Sequence, residues 1–147
     1  MKIVVEEQRT PQLIERLTEV WESSVRATHS FLSEGDISEI RGYVPMALCD
    51  VGVLVVAYVD DCAVAFMGVD GARLEMLFVD ADMRGCGIGR ALVEYGIAHY
   101  QISEITVNEQ NPDAVGFYAH LGFITYRRAD CDEQGRPFPL LYMHMKV

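Results

Sequence analysis

The sequence predicts a mixed α/β (α+β) domain around one central, mostly antiparallel sheet of about six to seven strands flanked by about four helices. Three observations predict it. β-Branched apolar runs of strand length crowd the middle of the chain, from Leu54 to Val79, with two-residue turns between them. Stripes of apolar residues at helical spacing come before and after that block. Between Arg73 and Val107 a strand, a glycine-rich loop, a helix and another strand follow one another, which is the signature of one parallel crossover.

Taken in order, Ile3 to Val5 reads as a short first strand. Thr10-Pro11 supplies a helix cap followed by proline at the first helical position, and Leu13, Leu17, Val20 and Trp21 then form one stripe. A second helical stretch is expected over Ser23 to Leu32, and a third over Ile37 to Tyr43, ended by Pro45. Leu54 to Val59 and Cys62 to Val69 read as a hairpin turning at Asp60-Asp61, and Arg73 to Val79 as a third strand after Asp70-Gly71. Ile88, Leu92, Val93 and Gly96 share a helix face, and Glu104 to Val107 is a short strand. Asn111-Pro112 repeats the cap-plus-proline signal ahead of Ala114, Phe117, Tyr118 and Leu121, and Gly122 stands where a C-terminal cap belongs. Strands over Phe123 to Ala129 and Leu140 to Met145 flank the turn-rich Asp132 to Gly135.

Length and composition bound the function. With 147 residues, half of them hydrophobic and 23% charged, the expected organisation is one globular domain over 1–147. The longest nearly unbroken apolar run, Val51 to Val59, is too short to span a bilayer, and Glu6-Glu7 interrupts the N-terminus where a signal peptide would stay apolar. A cytoplasmic protein with no membrane partner is expected. The formal charge is −10 and Lys2 and Lys146 are the two lysines, so the basic footprint of a nucleic-acid binder is absent. Cys49, Cys62, Cys86 and Cys131 lie far apart without a C-x-x-C pair; they are expected to be reduced and mostly buried, and no metal is expected.

The strongest local chemistry is Arg84-Gly85-Cys86-Gly87-Ile88-Gly89, between a strand and a helix. Glycines let peptide N–H groups approach an anion, and the helix start adds its positive dipole end, so the segment suits a phosphate. The alternative is a plain tight turn. A Walker loop needs G-x-x-x-x-G-K-[ST], and the dinucleotide fingerprint needs G-x-G-x-x-G; the spacing here is G-x-G-x-G with no lysine.

Leu77 to Asp80 followed by Arg84 to Leu92 closely resembles the acetyl-CoA signature of the GCN5-related N-acetyltransferases, the GNAT superfamily: Gln or Arg, two residues, Gly, one residue, Gly or Ala. Arg84, Gly87 and Gly89 meet it. Asn111 to Tyr118 running into Leu121-Gly122-Phe123 is similar to the superfamily's second signature. Ala27 to Leu32, Val107 to Asn111 and Gly135 to Leu141 are similar to a small bacterial subgroup, which extends the resemblance over nearly the whole chain.

The resemblance implies the GNAT fold, acetyl-CoA as co-substrate and direct transfer of its acetyl group to a primary amine. It implies that Leu77, Phe78 and Val79 pair with the pantetheine arm, with the Phe78 amide meeting the thioester oxygen. It places Gly85, Cys86, Gly87, Ile88 and Gly89, with Arg84 or Arg90, on the pyrophosphate, and makes Asn111 a side-chain contact. Tyr118 would lie near the sulfur and act as general acid; by pattern alone it is a core aromatic on the stripe of Ala114 and Leu121. Glu75 or His29 is the expected general base, and His29 and Phe31 the expected acceptor contacts. The partner is then an amine-bearing small molecule or protein, and the enzyme a monomer or homodimer. The runner-up is a non-catalytic CoA-sensing module of the same fold. A base matters most for a lysine-type amine, whose deprotonation at pH 7 costs about 4.6 kcal/mol, against about 1.4 kcal/mol for an α-amine.

Overall fold

Thr10 starts the first helix as expected: its hydroxyl accepts from the Leu13 N–H at 3.2 Å, with Pro11 directly after it. In the computed structural model, which describes residues 1–146, the resulting helix α1 (Pro11–Thr28) swallows most of the second predicted stretch. Nothing breaks the chain after Trp21, and Ser24 and Val25 continue the buried stripe of Ile14, Leu17, Val20 and Trp21. The helix ends at His29, whose N–H donates to Val25 O, and a turn from His29 to Leu32 follows.

Helix α2 (Glu34–Arg41) begins a turn earlier than predicted because Ser33 and Asp36 form a reciprocal capping box, both bonds at 3.0 Å. Helix α3 (Val44–Asp50) was not expected. Pro45 reads as a terminator, but it falls in the first turn, where its missing N–H costs nothing. Arg9 closes the other end of α3, donating to Leu48 O, Cys49 O and Val51 O.

The strands are β1 (Lys2–Val5), β2 (Val53–Val59), β3 (Cys62–Asp70), β4 (Arg73–Val79), β5 (Glu104–Asn108), β6 (Phe123–Ala129) and β7 (Leu140–Met145). Helices α4 (Ile88–Tyr100) and α5 (Pro112–His120) complete the chain. One sheet has the order β1-β2-β3-β4-β5-β7-β6. Every pairing is antiparallel except β4 with β5, which are joined through the crossover helix α4. Asp60 and Asp61, both left-handed, make the β2–β3 turn.

Both sheet faces are covered. Leu54, Val56 and Phe66 pack against α1, α2 and α3 on one side. Val55, Ala57, Ala65 and Met67 face α4 and α5 on the other. Double-sided burial is why β2 and β3 read as continuous apolar runs rather than alternating ones. The four cysteines are free, but all are exposed, contrary to the expected burial. They sit on the outside of α3, at the start of β3, in the glycine loop and in the β6–β7 connection, none facing either core.

Phe66 is fully buried with its ring 5.6 Å from that of Phe78. Phe66→Ala is expected to lower stability by roughly 3–5 kcal/mol, whereas Ile124→Ala, on the exposed edge strand β6, stays within about 0.5 kcal/mol. Urea midpoints at constant m-value measure both.

Candidate active site

Along β3, Gly68 faces Met76 but the next residue, Val69, faces Leu74, so Glu75 is an extra residue bulged out of β4. On its other side β4 pairs with β5 only at Arg73–Glu104 and Leu74–Ile105, and beyond Leu74 that pairing stops. The peptide groups of β4 that would have bonded to β5 are thereby exposed in a gap. Asp80 donates to Val64 O at 2.8 Å, continuing the register Ala65–Val79 and Phe66–Phe78. Antiparallel pairs alternate, so the Phe78 N–H also points to β3, and the amides facing the gap belong to Leu77 and Val79. The expected thioester contact from the Phe78 amide is corrected accordingly.

The glycine loop follows immediately. Asp80 ties it to α1, meeting Arg16 at 3.2 Å and Ser23 Oγ at 3.3 Å, while Ser23 Oγ accepts from the Ala81 N–H at 3.0 Å. Gly85 and Gly87 have φ of 77° and 80°, a left-handed backbone that side chains resist. The N–H groups of Gly85 to Arg90 find no acceptor among the described residues, and no side chain caps α4. Unpartnered amides at a helix start are a seat for an anion.

A cavity of about 360 Å³ runs from this loop along the gap. Leu77, Phe78 and Val79 line it, as do Arg84, Gly85, Gly87, Ile88, Gly89 and Arg90, together with Asn111 and Tyr118. Cys86 alone among the predicted cofactor residues stands outside the wall, its thiol exposed. Arg90 is paired with Glu94 at 2.5 Å. The buried Asn111 uses Oδ1 to cap α5, accepting from the Ala114 N–H at 3.3 Å, so its Nδ2 is the part left for a ligand. Tyr118 is 8% exposed, edge-on to Phe123. Burial pushes its phenol above the usual value, and the hydroxyl, without a partner among the described residues, opens onto the cavity.

A second cavity, of about 380 Å³, lies between β4, the α1–α2 turn, α2, α3 and the β6–β7 connection. Trp21, Phe31 and Met76 form its apolar wall, and Arg73 and Glu75 a polar end. The β6–β7 connection covers it: Arg136 pairs with Glu39 at 2.8 Å, and the Phe138 ring lies 5.8 Å from that of Phe31. Burial raises the Glu75 carboxyl above its ordinary value, although Arg73 stands 3.2 Å away and opposes the shift.

His29 and Phe78 border both cavities. Burial lowers the His29 imidazole to about 4, so it is neutral near pH 7. Of the predicted residues, the fold gathers His29 and Tyr118 on one cavity wall, and His29, Phe31 and Glu75 on the other. Ser24, Thr28 and Asp113 also line the first cavity and were not anticipated. Thr28 was findable as the immediate neighbour of a suspected base; Ser24 and Asp113 carry no sequence signal. Among the described residues no three His, Cys, Asp or Glu side chains gather as a metal site, and no helix is long and apolar enough to cross a membrane.

Residues 43–147 match the family model described as an acetyltransferase (GNAT) domain. The chain is 41% identical over 127 residues, 86% of each protein, to the peptidyl-lysine N-acetyltransferase YjaB of Escherichia coli K12. The solution structure of apo YjaB from Escherichia coli superposes with a TM-score of 0.87 at 39% identity, covering 98% of this chain and 97% of that one. The PaiA N-acetyltransferase of Thermoplasma acidophilum, crystallised with coenzyme A, shares the fold at a TM-score of 0.71 and 21% identity over the full length of both. The chain therefore belongs to the GNAT acetyltransferase family. It is an N-acetyltransferase, and the acetyl donor of the family is acetyl-CoA. The loop amides and the gap amides of β4 fit that donor's diphosphate and pantetheine arm.

Unfolded, His29 takes up its proton below about pH 6.5; folded, it does so only near pH 4. Between these values the unfolded chain holds more protons, so stability falls as pH drops through that window. His29→Gln is expected to remove up to roughly 3 kcal/mol of this loss, measured by urea unfolding at pH 7 and pH 4.5.

Proposed function

We propose that the enzyme acetylates the side-chain amine of a lysine in a protein or peptide, with His29 as the base and Tyr118 as the acid. One observation carries the reading: His29 and Phe78 form the shared boundary of the two cavities. Donor and acceptor cavities must meet where the new bond forms, and a proton acceptor belongs at that junction. The apolar wall of Trp21, Phe31 and Met76 suits the methylene stem of a lysine. The curated YjaB relatives, named as peptidyl-lysine acetyltransferases, support that acceptor.

Bound acetyl-CoA supplies the activated acetyl group as a thioester. The amides of Gly85 to Arg90 hold its diphosphate, Val79 pairs with the arm, and the Leu77 amide stabilises charge developing on the acyl oxygen. Neutral His29 accepts the amine's proton. Tyr118, kept protonated by burial, holds a proton for the departing sulfur. Glu75, bulged into the acceptor cavity, attracts the ammonium group before it loses its proton.

Tyr118→Phe is expected to lower turnover about 10²-fold while CoA binding persists, and His29→Gln to do likewise. Thiol release with a lysine peptide, and calorimetry with CoA, provide the two measurements. Unchanged turnover in either variant removes that residue's role. CoA binding with no acceptor-dependent thiol release in the wild type supports the sensing module instead.

A further inference from the structure

His29 has two ring nitrogens, and only the one without a proton can take the amine's proton. The structure carries an assignment. The Thr28 hydroxyl oxygen lies 2.8 Å from Ser24 O and 2.7 Å from His29 Nδ1. A carbonyl cannot donate, so the first contact requires the single hydroxyl proton of Thr28. Were that proton on the histidine side, two oxygen lone pairs would face each other at 2.8 Å. The short contact to the ring therefore needs a proton from Nδ1, accepted by the Thr28 oxygen. Burial disfavours the doubly protonated cation, which leaves the neutral ring with Nδ1–H and a lone pair on Nε2.

We propose that Thr28 is a positioning residue: anchored on the Ser24 carbonyl, its hydroxyl holds His29 in the Nδ1–H tautomer and makes Nε2 the proton acceptor for the amine. The proposal rests on the reading of His29 as base. Thr28 is the last residue of α1 and the helix fixes its distance from Ser24, so the secondary structure itself sets the tautomer. A serine preserves both contacts; a valine of the same shape removes both.

The experiment is a long-range proton–nitrogen correlation spectrum of the ¹⁵N-histidine-labelled enzyme near pH 7, read beside steady-state kinetics. Wild-type His29 is expected to carry its proton on Nδ1. Thr28→Val is expected to shift the population toward Nε2–H and to lower kcat about tenfold, with KM for acetyl-CoA unchanged. Thr28→Ser is expected to restore both the tautomer and kcat. A wild-type proton on Nε2, which needs no variant to detect, overturns the proposal. So does Thr28→Ser as slow as Thr28→Val, or Thr28→Val at full speed. Full turnover in His29→Gln overturns instead the catalytic reading on which the proposal rests, and the spectrum tells the two failures apart.

Discussion

Among the described residues the parallel ladder between β4 and β5 is two residue pairs long, and the remaining structure is arranged around the parting that follows. A sheet normally satisfies its peptide groups on both sides of every inner strand. Here the bulge at Glu75 turns β4 away, and the amides of Leu77 and Val79 are left facing a cleft. Because the crossover through α4 begins at the end of that same strand, the loop amides lie in line with the cleft. A long ligand with a diphosphate at one end and amide groups along its length finds both kinds of partner in one run of chain.

Keeping the gap open requires firm neighbours. Helix α1 packs across β3 and β4, and Arg16 and Ser23 fasten Asp80 at the entrance to the glycine loop. The Arg16–Asp80 contact is partly sheltered, unlike Arg128–Glu109 at the sheet edge, which is exposed. Exposed pairs of that kind are worth little. The hold on the loop comes from one sheltered pair together with the Ser23 hydroxyl and the buried side of α1.

The same desolvation acts oppositely on two titratable groups. It lowers His29 and raises Tyr118, and so leaves both uncharged: the imidazole as an empty proton acceptor, the phenol as a filled donor. Each is weakened by that shift, so in the proposed roles the base and the acid work best while bonds to the acyl carbon are changing. For the proposed lysine acceptor, the formal charge of −10 would act at longer range, favouring approach of a cationic amine.

Much of this was legible in the linear chain, for local reasons. Thr10-Pro11, Asn111-Pro112 and the Asp60-Asp61 turn depend on neighbouring residues, and the loop from Arg84 to Gly89 identifies itself by spacing. Those signals mark the glycine loop and Tyr118, which line one cavity. Helix α3 was not legible, because Pro45 halts or begins a helix depending on register, and Arg9, far away in sequence, completes its end. Nor was the direction of the Phe78 amide, which β3 decides through its register, or that His29 borders both cavities while Glu75 borders one. Sequence determined the elements and the glycine loop because those follow from contacts within a few residues. Tertiary structure alone decided which amides face the cleft and which side chains stand between the two cavities, since both depend on how distant strands and helices align.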